Sequence, residues 1–192
     1  PLGVSPLLRS TLASHIDAIT SYPDREYTSL RECIAAYTGT DASQVIVGNG
    51  STELISLFIQ IEHPKKAMIL GPTYSEYERE ISLGGGTTLY YPLREKDDFV
   101  LDVDDFTAHL NESIDLLVLC NPNNPTGTVV EKEYLATLIS HNPQVCFVID
   151  QSYEFFTLRP LFSAAEAAEF PNVLLPVSYT HLRAHETDSY LV

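Results

Sequence analysis

Two short runs of apolar residues constrain the fold of this chain more than any other feature. One leads from Asp115 to Cys120, and the other leads from Val145 to Ile149, where the chain meets Asp150. Each run is shorter than an average helix and lacks polar alternation, which is typical of a β-strand buried on both faces. Such strands occur in parallel sheets that carry helices on each side, so the two runs predict an α/β fold.

The same alternation of strand and helix patterns extends along the middle of the chain. Short apolar or β-branched runs predict further strands at 44–47, 67–70 and 87–93. Helical spacing of apolar residues, with glycines as stop signals, predicts helices at 51–61, 75–83, 102–110 and 131–140. We therefore expect a mostly parallel sheet covered by helices.

The first part of the chain follows a different pattern. Helical spacing at 6–19 and 27–37 flanks a turn at Tyr22-Pro23-Asp24. We expect residues 1–39 to form an N-terminal helical arm or small-domain piece. Residues 40–176 are then expected to form the large domain that contains the sheet.

Composition and charge exclude several classes of function. The formal net charge is −15 with only 11 Lys and Arg, whereas nucleic-acid binding requires clustered cations. No apolar run approaches the roughly 20 residues that cross a bilayer, so we expect no membrane span. The three cysteines form no C-x-x-C pair and no metal-ligand spacing, which favours unpaired thiols in a reducing cytoplasm and no metal site.

Unusual segments follow the predicted strands and are expected to lie together. The carboxyl ends of parallel strands meet at one edge of a sheet, and ligands bind there. The segments just past these ends are 48–53, 71–74, 121–127 and 150–153. The sequence therefore predicts one ligand site built from these four loops.

The loop from Gly48 to Glu53 has the features of a phosphate-binding turn. Its glycines allow a tight turn, and the helix that follows offers free N–H groups and the positive end of its dipole. It is not a dinucleotide fingerprint, because Glu53 replaces the third glycine, and it lacks the lysine of a P-loop. A simple helix N-cap at Ser51 or Thr52 is the alternative interpretation.

Two further loops place polar side chains at strand ends. The loop from Asn121 to Gly127 doubles an Asn-Pro pair, which holds an amide side chain in an irregular turn after a buried strand. Asp150 ends the next strand, where an ionised carboxylate is costly unless it is paired. A cationic heterocycle nitrogen would supply that pair, and Tyr153 could reach the same ligand. Helix capping is the alternative for Asp150.

These motifs resemble, in type and order, those of fold type I pyridoxal-phosphate (PLP) enzymes, and specifically the group of histidinol-phosphate aminotransferases and threonine-phosphate decarboxylases. The resemblance covers Pro1 to about Leu175. It implies the large domain of the aspartate aminotransferase-like fold, incomplete in this chain, and PLP as the cofactor. The motifs that carry it are Pro1-Leu2-Gly3, Tyr22-Pro23-Asp24, Gly48 to Glu53, Pro72-Thr73-Tyr74, Asn121 to Gly127 and Asp150 to Tyr153.

The resemblance also implies which residues bind the phosphate and the face of the cofactor ring. Gly50, Ser51 and Thr52 would hold the phosphate through backbone N–H groups and the Ser51 hydroxyl. Tyr74 would stack its ring on the pyridine. Tyr22 is similar to a tyrosine that reaches the phosphate in the neighbouring subunit, which implies a homodimer. A buried turn aromatic is an equally good interpretation of Tyr22.

Three more residues are implied to act on the ring itself. Asn124 and Tyr153 would hydrogen-bond its phenolic oxygen. Asp150 would keep the pyridine nitrogen protonated, which makes the ring an electron sink for the substrate carbanion. Asp150 and Tyr153 are therefore the predicted catalytic residues.

The chain departs from the family pattern at and after Asp150. Gln151 and Ser152 stand where the family usually has an acidic residue and a small apolar one. The family's Schiff-base lysine, which follows a strand like the one at 172–175, is absent. From about Val177 the family pattern stops, so we expect residues 177–192 to be a non-family tail of artefactual origin. The lysines of the chain all precede the strand-end acid: Lys65, Lys66, Lys96 and Lys132.

The sequence therefore predicts a fragment of a PLP-dependent aminotransferase that acts on a phosphorylated amino compound such as histidinol phosphate, with glutamate or 2-oxoglutarate. Decarboxylation of L-threonine-O-3-phosphate, in cobalamin biosynthesis, is the alternative with the same cofactor. From another class, the alternative is a lysine-free pseudoenzyme or non-catalytic binding protein. The chain as given is expected to be inactive.

The position of the lysines leads to a first testable prediction. Addition of PLP, borohydride reduction and peptide mass spectrometry are expected to reveal no adduct concentrated on one lysine, because none follows Asp150. Weak labelling spread over all four lysines is the background for this comparison. One PLP per chain on a single lysine would contradict the prediction.

Overall fold

The computed structural model describes residues 5–110 and 113–178, which form a five-stranded sheet between two layers of helices. Its strands are β1 (Lys66–Gly71), β2 (Thr87–Pro92), β3 (Leu116–Cys120), β4 (Cys146–Asp150) and β5 (Val173–Leu174). The α-helices of the described residues are α1 (Pro6–Ser14), α2 (Thr28–Thr38), α3 (Ser51–Glu62), α4 (Glu76–Leu83), α5 (Val103–His109), α6 (Lys132–His141) and α7 (Ala164–Ala167).

All neighbouring strands of the sheet are parallel, in the order β2-β1-β3-β4-β5. The central strand β3 is buried along its whole length, as its uninterrupted apolar sequence requires. In the β3–β4 register Cys120 lies beside Asp150, so both strands end at the same level. The expected α/β class with a parallel sheet is confirmed.

The side chains of the sheet alternate between two core clusters, one on each face. On one face, Leu117 of β3 shares a cluster with Phe106 of α5 and with residues of α6. On the other face, Val118 of β3 shares a cluster with Ile59 of α3 and with residues of α4. All four named side chains are almost fully excluded from solvent. Helices α3 and α4 therefore cover the same face of the sheet. Helix α3 begins in the loop from Gly48 to Glu53, called the phosphate-type loop below, and α4 follows the loop after β1.

The predicted strand at 44–47 is wrong. A short 3-10 helix occupies Ala42–Gln44, started by Asp41 through a capping box, and extended but unpaired backbone follows. The guanidinium of Arg31 donates to the carbonyl of Ala42 at 2.7 and 3.1 Å and to that of Val45 at 3.0 Å. The carbonyl of Val45, which the predicted strand would use for pairing, is thus bonded to α2 instead.

The predicted helix at 6–19 is also only partly correct. Helix α1 ends at Ser14, and a 3-10 helix continues from Ile16 to Thr20. The hydroxyls of Ser10 and Ser14 donate to backbone carbonyls one turn earlier, a local bond that competes with helix propagation. Helix α1 buries none of its residues, so packing does not extend it.

The limits of the predicted domains, residues 1–39 and 40–176, stay predictions. The expected tail at 177–192 lies outside the described residues from position 179 onward. Among the helices in the described ranges, none is long and apolar enough to cross a membrane.

Candidate functional site

The carboxyl ends of β1, β3 and β4 bring three loops together at one edge of the sheet. The three strands are neighbours in the order β1-β3-β4, so the loops that follow Gly71, Cys120 and Asp150 start side by side. The backbone N–H of Asn121 donates to the carbonyl of Asp150 at 2.8 Å, which joins the second and third loops at their first residues. Three of the four predicted segments therefore follow neighbouring strands at this edge, whereas Gly48 to Glu53 follows no strand, because the strand predicted at 44–47 does not form.

The doubled Asn-Pro loop is held by its own buried amides. Asn121 is fully buried, donates to the carbonyl of Val130 at 3.0 Å and accepts from the N–H of Val130 at 2.8 Å. Asn123 donates to the carbonyl of Pro72 at 3.0 Å and accepts from the Thr73 hydroxyl at 2.9 Å. These bonds close the loop on itself and attach it to the loop after β1. Asn124 takes no part in them, and its amide contacts Tyr153 instead.

Asp150 is a buried carboxylate with a partner on each oxygen. Its side chain is 4% exposed. The phenol of Tyr77 donates to Oδ2 at 2.6 Å, while the N–H and hydroxyl of Ser152 donate to Oδ1 at 2.9 and 2.6 Å. Hydrogen bonds from three donors offset the cost of removing the carboxyl group from water. Helix capping by Asp150, the alternative interpretation, does not occur in this geometry, because a strand end and a turn surround it.

The phosphate-type loop leads into α3 through a glycine in a left-handed conformation. Gly50 has φ +90°, which a residue with a Cβ rarely adopts, and it is the N-cap of the helix. Because glycine has no side chain to accept from the first turn, the N–H groups of Ser51 and Thr52 point outward without a side-chain cap. The alternative interpretation, a helix capped by Ser51 or Thr52, is therefore wrong.

A single hydroxyl connects this loop to the buried acid. The Oγ of Ser152 lies 3.1 Å from the Oγ of Ser51 and 2.6 Å from Oδ1 of Asp150. The geometry makes Ser152 the donor in both contacts, so its one proton is shared between Asp150 and Ser51, with the shorter contact to the carboxylate. The helix start and the strand-end acid are thus two hydrogen bonds apart.

The remaining predicted side chains lie around the same position, with one exception. The amide of Asn124 donates to the phenol oxygen of Tyr153 at 3.3 Å. Burial is the main cause that raises the pKa of Tyr153, and the neighbouring groups include Asp150 and Tyr74. Tyr22 does not join them in this chain: its side chain is 81% exposed, so its interpretation as a buried turn aromatic is wrong.

Four residues that support the site were not predicted from the sequence: Tyr77, Ser152, Asn121 and Asn123. Tyr77 sits three positions after Tyr74 and meets it edge to face, with ring centroids 5.5 Å apart. The three-residue spacing was a usable signal for a shared helical face, but nothing local indicated the bond to Asp150. Ser152 was visible only as a departure from the family pattern.

Cys120 ends β3 inside the site but has no reactive character. Burial, with a smaller contribution from the charge of Asp150, raises the pKa of its thiol to about 11. The S–H group donates to the carbonyl of Pro122 at 3.2 Å. The thiol is therefore a core donor and stays protonated at neutral pH.

A parallel sheet with this set of strand-end loops defines a class: the solved proteins that share the architecture are fold type I PLP enzymes. The chain belongs to the family of class I and II aminotransferases, whose model matches residues 7–181. Members of this family are PLP-dependent. The resemblance that the motifs indicated is therefore confirmed.

The individual relatives include proteins named as histidinol-phosphate aminotransferases and proteins named as threonine-phosphate decarboxylases. The histidinol-phosphate aminotransferase of Caldicellulosiruptor saccharolyticus is 29% identical over 187 residues, which cover 95% of this chain and 51% of that protein. The threonine-phosphate decarboxylase of Salmonella typhimurium is 32% identical over 155 residues, 80% of this chain and 42% of that protein. The chain spans about half the length, or less, of these curated relatives.

The fold is also that of a solved histidinol-phosphate aminotransferase from Sinorhizobium meliloti, which contains pyridoxal-5'-phosphate. The two structures superpose with a TM-score of 0.81 at 20% identity, over 92% of this chain and 49% of the other. At this identity the likeness concerns the fold alone.

Asn121 and Asn124 of the Asn-Pro loop are expected to differ in how much they contribute to stability. Asn121→Ala leaves the buried N–H and carbonyl of Val130 without partners and should lower the free energy of unfolding by about 2–3 kcal/mol. Asn124→Ala removes one partly exposed contact at 3.3 Å and should cost less than about 1 kcal/mol. Urea denaturation of both variants measures the difference, and equal losses would contradict this assignment.

Proposed function

We propose that the whole protein is a PLP-dependent aminotransferase acting on a phosphorylated amino compound such as histidinol phosphate, with glutamate or 2-oxoglutarate as the second substrate. One observation carries the proposal: Ser152 joins the uncapped start of α3 to the buried carboxylate of Asp150 through contacts of 3.1 and 2.6 Å. A phosphate cradle and an acid are thereby held a short distance apart, as a small phosphorylated heterocycle requires.

The residues of the site fit the cofactor at both of its ends. Gly50, Ser51 and Thr52 would hold the phosphate with backbone N–H groups at the positive end of the α3 dipole. The carboxylate of Asp150 would pair with the ring nitrogen. Its burial excludes water from that contact, which strengthens the pairing.

The sides of the ring would be met by an amide and two phenols. Tyr74 is 37% exposed at the edge of the site, so it has a ring face available for stacking. Asn124 and Tyr153, which already contact each other, would share the phenolic oxygen. When bound, PLP draws electrons from the carbon next to the substrate amine. The residues of this chain supply binding, orientation and a fixed charge.

The lysine that this chemistry requires is not among those of the chain. Lys132, the lysine nearest in sequence to Asp150, is paired with Glu166 at 2.7 Å. The activity is therefore proposed for the whole protein, and the described residues are proposed as its cofactor-binding part.

The proposal also includes a homodimer, supported by the exposure of Tyr22, and a cytoplasmic location, supported by the free cysteines. The 81% exposure of Tyr22 leaves it available to a second subunit, which supports a homodimer with shared sites. The cysteines of the described residues are free, which supports a cytoplasmic location.

A decarboxylase acting on L-threonine-O-3-phosphate is the second candidate. It is favoured by the 32% identity to the Salmonella typhimurium relative of that name, which exceeds the 29% identity to the aminotransferase above.

Cofactor binding can be tested on the chain itself with pyridoxamine 5'-phosphate, which needs no lysine. We expect saturable binding by calorimetry and a loss of more than about tenfold in Asp150→Asn, since a bond between charged groups contributes roughly 1.5–3 kcal/mol. Asp105→Asn is the matched control, because Asp105 also accepts a tyrosine hydroxyl, that of Tyr91 at 2.8 Å, away from the site. Equal affinities in the two variants would refute the proposed site.

The reaction is tested on the complete gene product. With histidinol phosphate and 2-oxoglutarate we expect glutamate to form in stoichiometric amounts, without release of carbon dioxide. Release of carbon dioxide from threonine phosphate, with no glutamate formed from histidinol phosphate, would identify the decarboxylase. If neither glutamate nor carbon dioxide forms, the protein is non-catalytic.

A further inference from the structure

Tyr77 contacts two of the predicted cofactor-binding residues from inside the protein core. Its side chain is 1% exposed and belongs to the cluster that packs α3 and α4 on the sheet. Its hydroxyl donates to Oδ2 of Asp150 at 2.6 Å. Its ring meets the ring of Tyr74 edge to face at 5.5 Å and 82°.

We infer that Tyr77 is a positioning residue: it fixes the carboxylate of Asp150 toward the ring nitrogen of the cofactor and the ring of Tyr74 toward the cofactor face. The inference rests on the proposed function, because it concerns the same site. It adds a residue that acts on the cofactor only through its two neighbours.

The direction of the hydrogen bond supports this role. Burial, together with the charge of Asp150, raises the pKa of the Tyr77 phenol far above its ordinary value, so the hydroxyl stays protonated and can only donate to the acid. Ser152 holds the other carboxylate oxygen with two donors. A carboxylate held at both oxygens cannot rotate about its Cβ–Cγ bond without breaking a bond of 2.6 Å on one side.

The hydroxyl, rather than the ring, is the part of Tyr77 that this role requires. A phenylalanine at position 77 would keep the apolar contacts of the core and the edge contact to Tyr74, and would lose only the bond to Asp150. Tyr91 offers a matched control, because it is a buried tyrosine whose hydroxyl donates to a carboxylate, Asp105, at 2.8 Å in the other core cluster.

The test compares two probes that differ at one atom. Pyridoxamine 5'-phosphate has a ring nitrogen, whereas its 1-deaza analogue has a C–H group in that place and the same phosphate. Tyr77→Phe should weaken binding of pyridoxamine 5'-phosphate about tenfold, as expected for loss of a hydrogen bond to a charged group, and leave the affinity for the deaza analogue within about twofold. Tyr91→Phe should leave both affinities unchanged.

The outcomes separate this inference from the proposed function. Equal weakening of both probes by Tyr77→Phe, or no weakening of either, overturns the positioning role and leaves the cofactor site in place. No binding of pyridoxamine 5'-phosphate to the unmodified chain overturns the proposed function and the inference with it. If circular dichroism shows that Tyr77→Phe does not fold, Ser152→Ala decides by the ratio of its effects on the two probes. It removes a hydroxyl donor from the other oxygen of Asp150, and any effect through Ser51 is the same for both probes, so a ratio near one overturns the positioning role.

Discussion

A carboxylate placed at the buried end of a central strand is the constraint on which the rest of the site depends. Asp150 is 4% exposed, so its charge must be balanced inside the protein. The balance comes from α4, through Tyr77, and from the turn after β4, through Ser152. Helix α4 and this turn are therefore positioned by the two oxygen atoms of the same carboxylate. Ser152 also contacts Ser51, so the start of α3 is connected to this carboxylate as well.

Within the Asn-Pro loop, two asparagines hold the loop in place, and a third is the one proposed to bind the cofactor. The side-chain amides of Asn121 and Asn123 form hydrogen bonds with backbone and side-chain groups of the protein, and these bonds set the path of the loop. Asn124 keeps an amide directed at Tyr153 and the site. Three identical side chains thus differ in their roles, because the loop places each of them beside different hydrogen-bond partners.

Local pattern was sufficient for the sheet and for part of the site. The uninterrupted runs before Cys120 and Asp150 indicated buried parallel strands, and strand ends indicated where ligand-binding groups would gather. What local pattern could not indicate were contacts between distant residues: Tyr77 reaches Asp150 across 73 positions, and Ser152 reaches Ser51 across 101. The strand expected at 44–47 is a similar case, since Arg31, which binds the carbonyl of Val45, lies on another element.

That arginine has a consequence for the phosphate-type loop. Arg31 ties α2 to the carbonyls of Ala42 and Val45, and Gly50 lies only five positions after Val45. These bonds restrict the backbone that leads into α3 and so lower its conformational entropy. If the cofactor phosphate binds at α3, as proposed above, loosening α2 is expected to weaken that binding, and the bound phosphate would favour the ordered helix to the same extent.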